Sequence, residues 1–310
     1  MTTGPRVAIV GSLHYDIMVR TPSLPRTGET LMGQAWWWKP GGKGGNQAMA
    51  AVRHGAAAAM IGCLGDDGFG ARLRARLEAA GVDLRHIRTV EQGSGMSVAL
   101  QQDDGDYAAV VVSGANRDLD EAQVRASVEA ITGAGVLLLQ NEVAASANVV
   151  AARLARGAGV TVVHNAAPAR TAGALAELVD ILVVNTIEAE QLGATPVEDL
   201  SSAALAAASL RGATSSVVVT AGGAGVAAAT ADGVIELPPH PVGEPKTHGA
   251  GDTFVGALAA RLAAGESLVD ALRYANAAAA LHVGAGDDER AHLGPADVEG
   301  LLTGPESAST

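Results

Sequence analysis

Among 310 residues there is one cysteine, and the aromatics stop at three tryptophans, three tyrosines and two phenylalanines. A lone cysteine excludes an internal disulfide and any site built from several thiolates. Cys63 stands in the apolar run 59–64, which suits a buried, inert thiol. Basic side chains are also scarce: 21 Lys and Arg against 33 Asp and Glu give a formal net charge of −12. That balance excludes general binding to nucleic acid or to an anionic membrane, both of which require a basic face. A small anion stays admissible, because a helix N-terminus or a metal ion supplies local positive charge. No uncharged stretch both reaches ~18 residues and stays strongly apolar. Met1 to Pro5 runs straight into Val7-Ala8-Ile9-Val10, with no signal-peptide core. A cytoplasmic protein is expected. The eight histidines show no H-E-x-x-H or comparable spacing, so a structural transition-metal site is not expected.

What is present is an alternation. Short apolar runs at 6–11, 58–62, 135–139, 160–164, 181–184 and 216–220 read as strands. Longer helical patterns lie between them. In 68–80, Phe69, Leu73 and Leu77 recur every four residues, and Gly81 is a plausible stop. The pattern predicts an α/β fold: a doubly wound, mainly parallel sheet with helices on both faces. Two stretches break the rhythm, 13–20 with 29–39, and 95–113. They read as strands without intervening helices, the second turning at Asp103-Asp104-Gly105. These strands predict a small antiparallel sheet outside the core, a lid contributed by about 12–39 and 94–113 of a single domain spanning 1–310.

Three segments can carry chemistry. Gly249-Ala250-Gly251-Asp252-Thr253-Phe254 opens a helix whose first turn leaves backbone N–H groups uncovered. The helix dipole adds positive potential, so a phosphate fits there, with Asp252 placed to hold or deprotonate an attacking hydroxyl. The same residues also fit an N-capping aspartate after a glycine turn. Gly41-Gly42-Lys43-Gly44-Gly45-Asn46-Gln47 leads into a helix over 48–54 and brings donors suited to sugar hydroxyls or phosphate. It lacks P-loop spacing, and an ordinary glycine turn is the alternative. Val219 to Gly225 follows a strand without the full dinucleotide fingerprint, which favours a strand-to-strand turn.

Taken in order, the first two segments are similar to the paired signatures of the ribokinase-like (PfkB-type) carbohydrate kinase family. Asn165 to Arg170 and Asn185 to Glu190 place the chain closest to its ribokinase branch. The resemblance covers nearly the whole chain. It implies an ATP-dependent sugar kinase, with ribose the first candidate acceptor. A nucleoside or ketose is the alternative, and a non-catalytic sugar sensor is the reading from another class.

By resemblance, Asp252 is the catalytic base, and the backbone of Gly249, Ala250 and Gly251 forms the anion hole. Asn185 and Glu188 match the motif that holds Mg²⁺ and phosphates, with Glu188 acting on the metal through water. Thr220, Gly222 and Gly225 match the nucleotide turn, and Asn276 an adenine contact. His14, Asp16, Gly42, Lys43, Asn46 and Glu142 match the sugar site. His14 departs from the usual asparagine. It shares a strand face with Asp16, which favours substrate contact over lid packing. Lys246 stands where many relatives bind a monovalent cation through Asp, and 284–288 departs from their pattern as well, so activation by potassium is not expected. A homodimer through the lid is expected. Within Trp36-Trp37-Trp38, only the outer two rings share a strand face, where they can stack on a base.

Overall fold

The computed structural model describes residues 4–102, 107–171, 173–212, 214–242 and 249–304. In chain order the strands are β1 (Arg6–Val10), β2 (His14–Arg20), β3 (Ala35–Gly41), β4 (Ala57–Gly65), β5 (Ile87–Val90), β6 (Gly95–Gln101), β7 (Tyr107–Val112), β8 (Val136–Gln140), β9 (Thr161–Asn165), β10 (Ile181–Asn185), β11 (Ser216–Thr220), β12 (Val226–Thr230) and β13 (Gly233–Leu237). β8, sequence VLLLQ, is buried along its whole length. A strand of that composition needs cover on both faces. It sits within a nine-stranded sheet ordered β13-β12-β11-β10-β9-β8-β1-β4-β5, parallel from β11 to β5 and antiparallel at the β11-β12-β13 edge. Side chains alternate between the two faces: Val7 and Ile9 join one apolar cluster, Ala8 and Val10 the other.

Strand order reverses between β1 and β8. Ligand crevices of open α/β sheets form beyond the carboxyl ends at such a point. Here those ends deliver Gly11 and Ser12 on one side, and Gln140 to Glu142 on the other. The helix Lys43–Arg53 starts directly after β3, five residues earlier than its sequence suggests, so Gly44 to Gln47 are helical. It lies hard against the helix Ala250–Ala263. A Cβ on Gly256 would sit 2.5 Å from Ala50 Cβ and 2.6 Å from the Gln47 carbonyl oxygen. That close approach carries Asn46 and Gln47 to the first turn of the second helix.

The lid is a four-stranded sheet ordered β3-β2-β6-β7. Its outer pairings are antiparallel, while the central β2–β6 pair is parallel, because each of those strands follows the carboxyl end of a core strand. β3 begins at Ala35 rather than at 29. The expected turn at Asp103 to Gly105 lies outside the described residues. Tyr15 is buried between the rings of Trp38 at 4.6 Å and Phe69 at 4.3 Å, both stacked nearly parallel to it. Phe69 belongs to the helix Gly68–Ala79. Two of the lid rings therefore tie the lid to the core, while Trp36 is exposed. Cys63 is buried, and burial pushes its thiol up.

Candidate active site

Gly249 adopts φ +81°, a left-handed conformation that a side chain would strain, and turns the chain into the helix Ala250–Ala263. Asp252 falls in the first turn of that helix. Its Oδ2 accepts from Asn46 Nδ2 and its Oδ1 from Gln47 Nε2, both at 3.1 Å. Burial pushes the Asp252 carboxyl up from its ordinary range. The Lys43 charge and the two amide donors pull against that push, and Glu142 adds to it.

Two chambers meet at this carboxylate, and among the described lining residues they share only Gly249 and Asp252. One, of about 200 Å³, is bordered by Lys43, Asn165, Asn185, Glu188, Thr220 and Gly251. Asn185 caps the short helix Thr186–Gln191. Its Oδ1 accepts from the Glu188 amide at 2.8 Å, and Glu188 Oε2 accepts from the Asn185 amide at 2.9 Å. The N-x-x-E pair is thus a reciprocal cap that also fixes the Glu188 carboxylate at the chamber wall. Burial pushes Glu188 up, and the Asp252 charge adds to this against the pull of Lys43. Among the described residues, no group of three or more His, Cys, Asp and Glu side chains is arranged to hold a metal ion by itself.

Glu142 organises the lid side. Its Oε2 accepts from the Lys43 amide at 3.0 Å and from the Ser12 hydroxyl, and lies 3.8 Å from His14 Nδ1. His14 is buried at the start of β2, with Asn116 Nδ2 3.3 Å from its Nε2. Its Nε2 thus faces Asn116 and its Nδ1 faces Glu142. Asp16 shares the His14 face and accepts from Ser97 Oγ at 2.5 Å. Gly42 caps the helix Lys43–Arg53. Lys43 divides its work: its backbone meets Glu142, while its side chain borders the chamber of Asn185 and Glu188.

The nucleotide-turn residues are only partly assembled. Thr220 reaches the first chamber, its Oγ1 donating to the Val184 carbonyl at 3.4 Å. Gly222 and Gly225 lie in the β11–β12 connection, as a strand-to-strand turn requires. A Cβ on Gly225 would meet the Leu237 carbonyl at 2.2 Å. Asn276 does not line either chamber; its Nδ2 donates to the Pro238 carbonyl at 2.8 Å, so it braces the segment packed on Gly225. Lys246 lies outside the described residues.

The sequence offers Gln47 as a donor toward a ligand, but not its protein partners, which are mostly amides. Gln47 Oε1 accepts from Gln140 Nε2 at 2.8 Å, and Gln47 Nε2 also donates to Asn165 Oδ1 at 3.1 Å. Asn116 pins Leu13 through both its backbone N–H and its carbonyl. His282 Nδ1 lies 3.0 Å from Thr253 Oγ1, beside the helix start. Gln47 stood within the glycine-rich motif. The others come from distant segments with no local signal.

A family model described as pfkB family carbohydrate kinase matches residues 5–290. The ribokinase of Haemophilus influenzae is 36% identical over 280 residues, covering 89% of this chain and 92% of that protein. The mouse ribokinase is 35% identical, covering 89% and 88%. The structure of Arabidopsis thaliana ribokinase complexed with ribose and ATP superposes with a TM-score of 0.90 at 31% identity, covering 97% of this chain and 99% of that one. With the glycine-rich helix start, its aspartate and the lidded α/β sheet, these similarities show that the chain belongs to the pfkB family of carbohydrate kinases.

Proposed function

We propose that the protein transfers the γ-phosphoryl group of ATP to a hydroxyl of ribose. The observation that carries this reading is the place of Asp252, between two chambers and at the N-terminus of the Ala250–Ala263 helix. The backbone N–H groups of Gly249, Ala250 and Gly251 face the transferring phosphoryl group. Charge stabilisation of this kind supplies most of the catalysis in phosphoryl transfer. Asp252 takes the proton of the sugar hydroxyl. Asp16, Gly42, Asn46 and Glu142 hold the sugar, with His14 buttressing Glu142. Thr220, Gly222 and Gly225 seat the nucleotide, and Asn276 supports that seat from behind.

Mg²⁺ fits the Asn185–Glu188 wall as an ion held largely through water, since Glu188 presents one carboxylate there and the Asp252 carboxylate faces the same space. When bound, it neutralises phosphate charge; Lys43 adds a second positive group on the same side. Potassium is not required, on the grounds of Lys246 and the altered 284–288 segment. The exposed apolar edge strand β7, with Val110, Val111 and Val112, supports a homodimer paired through the lids. The use of ATP places the reaction in the cytoplasm, where ATP is supplied; among the described residues no helix is long and apolar enough to cross a membrane.

The test is ADP release against a panel of pentoses, ketohexoses and nucleosides. Highest kcat/KM with ribose supports the reading. A better ketose or nucleoside transfers it to that acceptor, and no turnover with any acceptor overturns the kinase assignment.

A further inference from the structure

The second chamber, about 290 Å³, is basic in a chain whose net charge is −12. Lys39, Arg53, Arg76 and Arg290 border it, and Asp252 is the only carboxylate among its described lining residues. It is not the donor side, since Lys43, Asn185, Glu188 and Thr220 all border the other chamber. Of the residues that hold the sugar, Asn46 borders it, which joins the chamber to the acceptor side, while His14, Asp16 and Glu142 do not.

Arg53 and Arg76 decide its character. Arg53 ends the helix Lys43–Arg53 and is half-buried; Arg76 rises from the last turn of the helix Gly68–Ala79. Neither makes an ion pair among the described residues, whereas six other arginines among them do. Burial and the neighbouring Arg76 charge both lower the proton affinity of Arg53. Placing one guanidinium partly out of water beside another costs free energy that a bound anion offsets. Guanidinium forks match oxyanions in particular, because two N–H groups meet two oxygens.

We propose that this chamber is an oxyanion subsite, taking a phosphate or carboxylate group between Arg53 and Arg76 on the side of Asp252 opposite the nucleotide. The anion is either free phosphate or the acid group of a charged sugar. Its binding is measurable without turnover, so the assignment stands apart from the kinase reading.

Calorimetric titration of the full chain with inorganic phosphate, at constant ionic strength and with a non-hydrolysable ATP analogue filling the nucleotide side, is the direct test. Saturable binding is expected, weakened about tenfold in Arg76→Gln and further in Arg53→Gln/Arg76→Gln. Arg76 is exposed, so its single variant reads the subsite even where the double variant folds poorly. A second arm compares KM for ribose and ribonate in wild type and Arg76→Gln. A KM rise confined to ribonate identifies the acceptor as the source of the anion. Phosphate binding with no effect on any acceptor identifies the free ion. Absence of saturable phosphate binding together with unchanged KM for every acceptor overturns the subsite, as does equal phosphate affinity in wild type and Arg76→Gln.

Discussion

Gln47 Nε2 donates to Asp252 Oδ1 at 3.1 Å, and the orientation of that amide is dictated from behind, because the same nitrogen donates to Asn165 Oδ1 at 3.1 Å and Asn165 Nδ2 is committed to the Val183 carbonyl at 3.2 Å. A reversed Gln47 amide would set an oxygen against both the carboxylate and the Asn165 oxygen. Asn165 is held at the end of β9, and Gln140, whose Nε2 donates to Gln47 Oε1 at 2.8 Å, at the end of β8. The base is thus positioned by a chain of buried amides that starts in the core sheet.

Asp252→Asn tests the base directly. An amide cannot accept the hydroxyl proton, so kcat should fall by at least ~10²-fold, the lower range for general-base catalysis. Sugar and ATP binding, read by calorimetry, should change little. Turnover at the wild-type rate would remove Asp252 from the mechanism.

Gln47→Leu removes one of the two amide donors to Asp252. Burial already pushes that carboxyl up, against the pull of Lys43, Asn46 and Gln47. Losing a donor raises it further, so the acid limb of log kcat/KM should move to higher pH. Glu142, which acts in the opposite sense, is left in place. A variant that loses activity uniformly across pH would make Gln47 a packing residue only.

Gly256→Ala tests the helix crossing that brings these groups together. The new methyl would lie 2.5 Å from Ala50 Cβ and 2.6 Å from the Gln47 carbonyl. Overpacking of this kind costs about 1–3 kcal/mol. Denaturant unfolding should show that loss, and kcat should fall along with it, because the helix bearing Asn46 and Gln47 must shift away from Asp252. Full activity in a destabilised variant would show that the crossing is not what sets the base.

Glu188→Gln separates the metal role from the cap. Glutamine still offers an oxygen to the Asn185 backbone N–H, which donates the 2.9 Å bond to Glu188 Oε2 in the wild type. Stability should therefore hold to within ~1 kcal/mol, the scale of one cap interaction. The Mg²⁺ concentration for half-maximal rate should rise several-fold. An unchanged Mg²⁺ dependence would leave Glu188 as a cap alone.

What could be read in the sequence follows from how local each signal is. The strands β1, β8 and β11 are continuous apolar runs, and Gly249 to Asp252 is one uninterrupted helix start, so both were visible. The helix at Lys43 was placed too late because glycines are poor helix formers. There the close approach to Ser12 outweighs propensity: Gly45 N–H donates to the Ser12 carbonyl at 3.0 Å. The Gln47–Gln140–Asn165 chain joins positions separated by 93 and 118 residues. No spacing rule reports that. Trp38 and Tyr15 were legible as lid residues, but their stack on Phe69 depends on where the helix Gly68–Ala79 docks.

Two histidines outside the site set the acid stability of the fold. His54 Nδ1 lies 3.0 Å from Tyr274 Oη, and burial, with Arg53 and Arg261 nearby, pushes its pKa down to about 4. His164 pairs its Nε2 with Asn141 Oδ1 at 3.0 Å, while its Nδ1 is buried without a partner, and burial again holds the pKa at about 4. Both are neutral when folded, against ~6.5 for an unfolded histidine. The unfolded chain therefore takes up more protons below pH ~6.5, and stability falls as pH drops from there toward 4. Between pH 7 and 5 each histidine should remove about 2 kcal/mol. His54→Phe keeps the edge-on contact with Tyr274, now 5.5 Å between ring centroids. Denaturant unfolding at pH 7 and pH 5 should then show a smaller loss in the variant than in wild type, by about 2 kcal/mol. An equal loss in both would mean that His54 titrates alike in the folded and unfolded chains.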